Sequence, residues 1–214
     1  MSSDCLDCGG TGLLPDMTPC PKCAKEKLDN AIKAGMSNAV IPMQYCGVVF
    51  DKSFLPSDLQ SGYGAYMEDL MKTIIADYNV FQRNILICSR PNSGKTIWAY
   101  NLISALIGKG YSMPNLMDLM QVSDTMYGKF GSDELQKDIL YSRGLIVRLP
   151  ADMAPWMIDS MLAIVERRVT RNGFTIFLFN GSHEKLEGID RYGALKHILG
   201  NGSFHSVRLE DFYV

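Results

Sequence analysis

The sequence lacks any apolar run near the roughly 18 residues that a membrane-crossing helix needs. Its start lacks a basic stretch followed by an apolar one, so no signal peptide is expected. Charge of one sign is missing as well. Lys and Arg number 21 against 23 Asp and Glu, a formal net charge of −2. That balance excludes a global attraction to nucleic acid and confines any such contact to a local patch. No internal repeat or low-complexity tract interrupts the chain. What is present, 47% apolar and 21% charged residues, describes a globular protein rather than a disordered one. The length of 214 residues suits one ordinary domain with a small appendage. A cytoplasmic protein is the resulting expectation.

Cysteine is concentrated at one end. Four of the six fall within the first 23 positions, as Cys5-x2-Cys8 and Cys20-x2-Cys23. Each C-x2-C sets two thiolates on one turn, and two such turns complete a tetrahedral four-thiolate site for structural zinc. Gly9, Gly10 and Gly12 let the backbone fold closely, and Pro19 and Pro21 stiffen the second turn. Two disulfides or a redox C-x-x-C are the alternatives, the first disfavoured by a reducing compartment. A segment this small buries too little apolar surface to fold alone, so a metal would supply its folding energy. The cysteines Cys46 and Cys88 stand in apolar surroundings and read as core residues.

The most informative stretch is Ile85-Leu86-Ile87-Cys88-Ser89-Arg90-Pro91-Asn92-Ser93-Gly94-Lys95-Thr96. A short apolar run, a polar loop, Gly-Lys-Thr and an apolar helical run from Ile97 to Ile107 follow in the order a phosphate-binding P-loop requires. Backbone N–H groups and a helix N-terminus would point at the anion. Ser89, Asn92, Ser93, Gly94, Lys95, Thr96 and Ile97 are the expected nucleotide-contacting set. Lys95 would reach the β- and γ-phosphates and the Thr96 hydroxyl would hold Mg²⁺. Ser89 stands where G-x-x-x-x-G-K-[ST] has its first glycine.

Elsewhere helices are expected over Lys25–Met36, Ser61–Tyr78, a stretch reaching Tyr127, Asp133–Tyr141, Pro155–Arg171 and Asp190–Leu199, from apolar periodicity and stop signals. An irregular strand is expected within Tyr111–Asp118, and others at Leu145–Leu149, Phe174–Phe179 and Ser206–Leu209. The alternation gives an α/β fold, a parallel sheet with helices on both faces. Arg167, Arg168 and Arg171 gather at a helix end, either as cations suited to a helix C-terminus or as phosphate contacts. His183 and His197 read as surface or packing residues.

In this order the segments resemble the bacterial replicative helicase loaders, the DnaC/DnaI group of AAA+ proteins, and their phage-encoded relatives. Ala34-Gly35-Met36, Ile41-Pro42-Met43-Gln44-Tyr45 and Phe50-Asp51 resemble the linker of that family. Glu166-Arg167-Arg168, Thr175–Asn180 and Ser182-His183-Glu184-Lys185-Leu186 are similar to its stretch around sensor 1. Val207-Arg208-Leu209-Glu210 resembles its final core strand. The resemblance implies a zinc-binding module over 1–35, a linker over 36–60 and an AAA+-type P-loop core over 61–214. It implies that Lys95 and Asn180 serve catalysis, Asn180 by placing the attacking water. The implied partners are a hexameric replicative helicase and single-stranded DNA, with no membrane and with scope for a homo-oligomer on the helicase.

Two departures shape the expected activity. The Walker B strand of the family ends in acids that hold Mg²⁺, whereas Arg148 and Leu149 occupy those places here, with Asp152 lying beyond Pro150. The finger and sensor-2 arginines have only Arg191 and Lys196 as displaced counterparts. The expectation is an accessory protein that brings a helicase to single-stranded DNA, holding ATP or ADP with weak or absent turnover, with Mg²⁺ in question. The alternatives are an active ATPase of the IstB transposition-helper type and a nucleotide-independent adaptor with a relic P-loop.

Overall fold

A computed structural model describes residues 5–8, 14–16, 18, 20–23, 26, 41–42, 45, 50–111, 116–129, 131–190, 193, 195 and 204–212. Five strands, β1 (Asn84–Ser89), β2 (Met117–Asp118), β3 (Gly144–Arg148), β4 (Phe174–Asn180) and β5 (Phe204–Arg208), form one sheet in the order β2-β3-β4-β1-β5. Every pairing is parallel. The helices are α1 (Ala65–Ala76), α2 (Lys95–Gly108), α3 (Leu119–Met126), α4 (Asp133–Tyr141), α5 (Pro155–Val169) and α6 (His183–Ile189). No helix among the described residues is long and apolar enough to cross a membrane.

The near-continuous apolar reading of β1 and β4 follows from their central place, where both faces are covered. Successive residues serve opposite layers. Ile85, Ile87, Ile176 and Leu178 pack with Trp98, Leu102 and Leu106 of α2 and Met67, Leu70 and Ile74 of α1. Leu86, Cys88, Val147, Phe177 and Phe179 pack instead with Val122 of α3 and Ile158, Met161 and Ile164 of α5. Trp98 locks α2 to α1 by donating Nε1–H to the Met67 carbonyl at 2.7 Å. Burying each such side chain is worth about 2 kcal/mol.

Local signals set the helix ends. Pro155 opens α5 at a position where its missing N–H costs nothing. The hydroxyls of Ser132 and Ser182 cap α4 and α6, accepting from the N–H groups of Leu135 and Lys185 at 3.2 Å. At the end of α2, Gly110 is left-handed at φ 83°. There Gly110 N–H reaches the Ile107 carbonyl and Tyr111 N–H the Leu106 carbonyl, a Schellman stop.

Tyr111 completes the end of α2 and packs its ring on Tyr78. The strand expected within Tyr111–Asp118 is found at Met117–Asp118, and residues 112–115 lie outside the described set. One difference from expectation is α6, which begins at His183, ahead of the helix expected over Asp190–Leu199. Few apolar residues and an internal Gly188 hide α6 from a periodicity reading, while only residues 190, 193 and 195 of the expected helix are described. Of the helix expected over Lys25–Met36 only Glu26 is described, and Cys46, Arg191, Lys196 and His197 lie outside. Cys88 is fully buried, as expected of a core residue. His183 is a packing residue, 2% exposed, with its Nδ1 3.6 Å from a Glu187 carboxylate oxygen.

The arginine cluster resolves into separate roles. Arg168 turns into the protein and is fully buried. Its guanidinium donates to Thr175 Oγ1, to the carbonyls of Ile139, Ser142 and Phe174, and to Ser142 Oγ. The available donors of the guanidinium are thereby matched, and the end of α4 is tied to the starts of β3 and β4. Burial pushes the Arg168 pKa down to about 10. Arg167 and Arg171 lie instead over the rings of Tyr127 and Tyr141, at 5.1 and 5.2 Å. Arg168→Ala should cost about 3 kcal/mol, since several buried acceptors lose their donor, and lower Tm by about 10 °C. Arg168→Lys should rescue little of this, because an ammonium has three donors in the wrong geometry. Arg167→Ala and Arg171→Ala should each cost under about 1 kcal/mol in chemical denaturation.

Candidate functional site

The loop between β1 and α2 stands at the C-terminal edge of the sheet, where open α/β sheets place their ligands. Asn92 and Gly94 adopt left-handed backbone, at φ 62° and 78°, which turns the chain sharply into the helix. Gly94 is needed for space as well. A Cβ there would lie 2.5 Å from Leu55 Cδ2 and 3.3 Å from Phe50 Cε2. Residues preceding the sheet therefore close down over the turn. The first N–H groups of α2 have no partner within the helix and face this loop, the physical basis of an anion cradle.

Lys95 opens α2 and is only 6% exposed. Its Nζ donates to the Ser89 and Arg90 carbonyls at 3.0 Å, to Ser93 Oγ at 3.0 Å and to Ser89 Oγ at 2.6 Å. Burial pushes its pKa down to about 8, with Cys88 opposing the shift. The four acceptors make a buried charge tolerable. Ser89 thus adds to the loop interior a hydroxyl that glycine would lack. That hydroxyl also lies 2.6 Å from Ser93 Oγ and accepts from Tyr63 OH at 3.4 Å.

A cavity of about 350 Å³ opens beside the loop, lined by Asn92 to Ile97, Asn180 and three residues from before the sheet, Tyr45, Phe50 and Leu55. Asn180 ends β4 in register with Ser89, and Gly181 N–H donates to the Ser89 carbonyl at 3.2 Å. Every residue expected at the nucleotide except Ser89 lines this cavity, and Ser89 forms its floor through Lys95. The sequence reading placed Tyr45 and Phe50 in a linker and tied neither them nor Leu55 and Tyr63 to the site, because nothing in their spacing points to a loop so much later in the chain.

Beyond Asn180 a second cavity, about 610 Å³, is bounded by Asp118, Gln121, Arg148 and Ala151. Arg148 ends β3, and Asp118 stands opposite it at the end of β2. Arg148 Nε and NH2 grip the two oxygens of the Asp118 carboxylate at 2.6 and 3.1 Å. This planar, two-point pairing holds the guanidinium in place and raises its pKa further. A phosphate cradle fits the residues around Gly94. A magnesium site does not, because among the described residues no carboxylate lines the loop cavity and the carboxylate beside it is bound to an arginine.

At the other end of the chain the Sγ atoms of Cys5, Cys8, Cys20 and Cys23 all lie within 4.8 Å of one another. The contacts cross between the two turns, Cys5 to Cys20 at 3.8 Å and Cys8 to Cys23 at 3.4 Å. Four thiolates about 2.3 Å from a tetrahedral metal would stand about 3.8 Å apart. No disulfide joins these four cysteines. This donor set could hold a metal such as zinc. Leu14 N–H to the Thr18 carbonyl at 2.8 Å and the exposed Lys22–Asp7 pair at 3.0 Å tighten the same segment.

No family model and no curated protein matches the sequence. Solved structures match by shape. DnaI aligns with TM-score 0.59 and 14% identity over 79% of this chain and 91% of that one. The DnaC helicase loader aligns with TM-score 0.56 and 14% identity, over 78% of this chain and 100% of that one. AMPPCP-bound DnaA from Aquifex aeolicus gives TM-score 0.54 and 11% identity over 74% of this chain and 50% of that one. The fold is that of the DnaC/DnaI-type AAA+ loaders, and at these identities the likeness speaks to fold alone.

The buried lysine has a measurable cost. An unfolded lysine keeps its proton to about pH 10.5 and the folded Lys95 releases it near 8. Between those values the unfolded chain binds more protons, so stability rises with pH; at pH 7 both states are charged and the full cost is present. Lys95→Met should therefore stabilise the ligand-free protein at pH 7 by about 1 kcal/mol or more, with the gain gone near pH 10. Urea titrations at the two pH values check this, and a pH-independent difference would contradict it.

Proposed function

We propose that this chain is a helicase-loader-like accessory protein of DNA replication, which binds a hexameric replicative helicase and helps place it on single-stranded DNA. The single observation that carries the reading is a loader-type fold whose phosphate loop is intact around Gly94-Lys95-Thr96 while Arg148 stands at the end of β3. ATP or ADP is held at the loop as a structural or regulatory ligand, with Lys95, Thr96 and the backbone of Asn92 to Gly94 on the phosphates. A bound nucleotide supplies negative charge that draws Lys95 from its four loop acceptors toward the ligand. Asn180 lines the same cavity, where its amide N–H can donate to a terminal phosphate oxygen. An arginine cannot take a proton from water at neutral pH, so nothing at the end of β3 serves as a general base.

Residues 1–35 form the zinc-binding module, 36–60 the linker and 61–214 the core on this reading. Zinc bound by Cys5, Cys8, Cys20 and Cys23 folds the module, and the module offers a surface to the helicase or regulates the core. A nucleotide-independent adaptor is the second reading, favoured by the way Ser89, Arg90 and Ser93 already satisfy Lys95.

The pure protein should bind ATP and ADP, raising its Tm, and turn ATP over at or near background. Brisk Mg-dependent turnover abolished by Lys95→Ala would overturn the slow-turnover reading. No thermal shift with ATP or ADP would leave the adaptor. Metal analysis should find one zinc per chain, lost with Cys20→Ser. A replicative helicase, and not a transposase, should be retained in a pull-down.

A further inference from the structure

We propose that the phosphate site works without a divalent cation, and that Arg148, clamped by Asp118, supplies from β3 the positive charge an ion would otherwise bring. This rests on the nucleotide reading above. Phosphate-transfer sites of this general plan place Mg²⁺ between a loop hydroxyl and a strand-end carboxylate. Here Thr96 provides the hydroxyl, but among the described residues no acid lines the loop cavity. In the adjoining cavity Asp118 is bound through both oxygens to Arg148. A dication would face a guanidinium where its ligands should be, and like charges repel most where water is scarce.

The guanidinium is arranged to receive an anion. Of its five N–H donors, Asp118 takes one on Nε and one on NH2, and no other hydrogen bond is made by this side chain among the described residues. The remaining donors share one plane, the geometry that suits a phosphate. The two cavities meet at Asn180, which lines both. Tyr100, within electrostatic reach of Arg148, stacks on Tyr45 at 4.8 Å, and Tyr45 lines the loop cavity. A purely structural role explains less, since both partners are about half exposed and such pairs contribute little to stability.

The test measures binding of ATP and of inorganic triphosphate to the full-length protein by calorimetry, in EDTA and in Mg²⁺. ATP affinity in EDTA should equal or exceed that in Mg²⁺. Arg148→Ala should weaken the EDTA binding by about tenfold or more, and Arg148→Lys should restore part of it. Arg148→Asp should convert the site to one that binds ATP better with Mg²⁺ than without, a change that loss of a strand tie would not produce. Melting curves of the three variants confirm that each is folded. Tight binding that disappears in EDTA, or wild-type affinity in Arg148→Ala, overturns the proposal while leaving the nucleotide reading in place. No binding under either condition overturns both.

Discussion

A single ammonium buried at the junction of β1 and α2 is the constraint around which the site is arranged. Lys95 is 6% exposed and surrounded by four acceptors from residues 89, 90 and 93. The charge can be kept there only because the loop curls around it, and the loop can curl only because Asn92 and Gly94 take left-handed backbone. The covering residues Phe50 and Leu55 leave no room for a side chain at Gly94, so the approach of the preceding segment depends on the same glycine. Sheet, turn and cover are thus coupled through one cation.

Two buried cations in this chain have opposite meanings. Arg168 is matched donor for acceptor against residues that end or begin secondary structure. It is structural. Lys95 instead borders a cavity of about 350 Å³, and burial holds its pKa near 8. A buried charge kept at such a cost beside open space is the arrangement expected of a group waiting for an anion. Arg148 differs from both, half exposed and pinned by Asp118 at the neighbouring strand ends.

Much of this was legible in the sequence. The apolar runs at 85–88 and 174–179 announced buried strands because both faces of those strands are covered, and the helix expected over Asp133–Tyr141 has those bounds. The cysteine spacing foretold a four-sulfur cluster, since each turn is set by residues three apart. What stayed hidden were contacts across long separations. Asp118 gave no sign of its partner 30 residues away, and the burial of Arg168 was invisible because a helix-end cluster looks the same whether one member turns inward or not. The short α6 was missed because its stability comes from a cap and from Leu186 in the core, not from amphipathic periodicity.

On the proposed reading the phosphate loop serves for holding rather than for turnover, on a fold of the DnaC/DnaI type. The arginine at the end of β3 offers charge to a polyphosphate and cannot itself act as a base toward water. The most direct test is the fate of nucleotide in the complex with a replicative helicase whose own ATPase has been inactivated. The protein is loaded with ATP, the complex is isolated, and the nucleotide is released by denaturation and identified by mass spectrometry over several hours. The account predicts about one nucleotide per chain of this protein, still ATP at the end. Complete conversion to ADP, or a complex that carries no nucleotide at all, would contradict it.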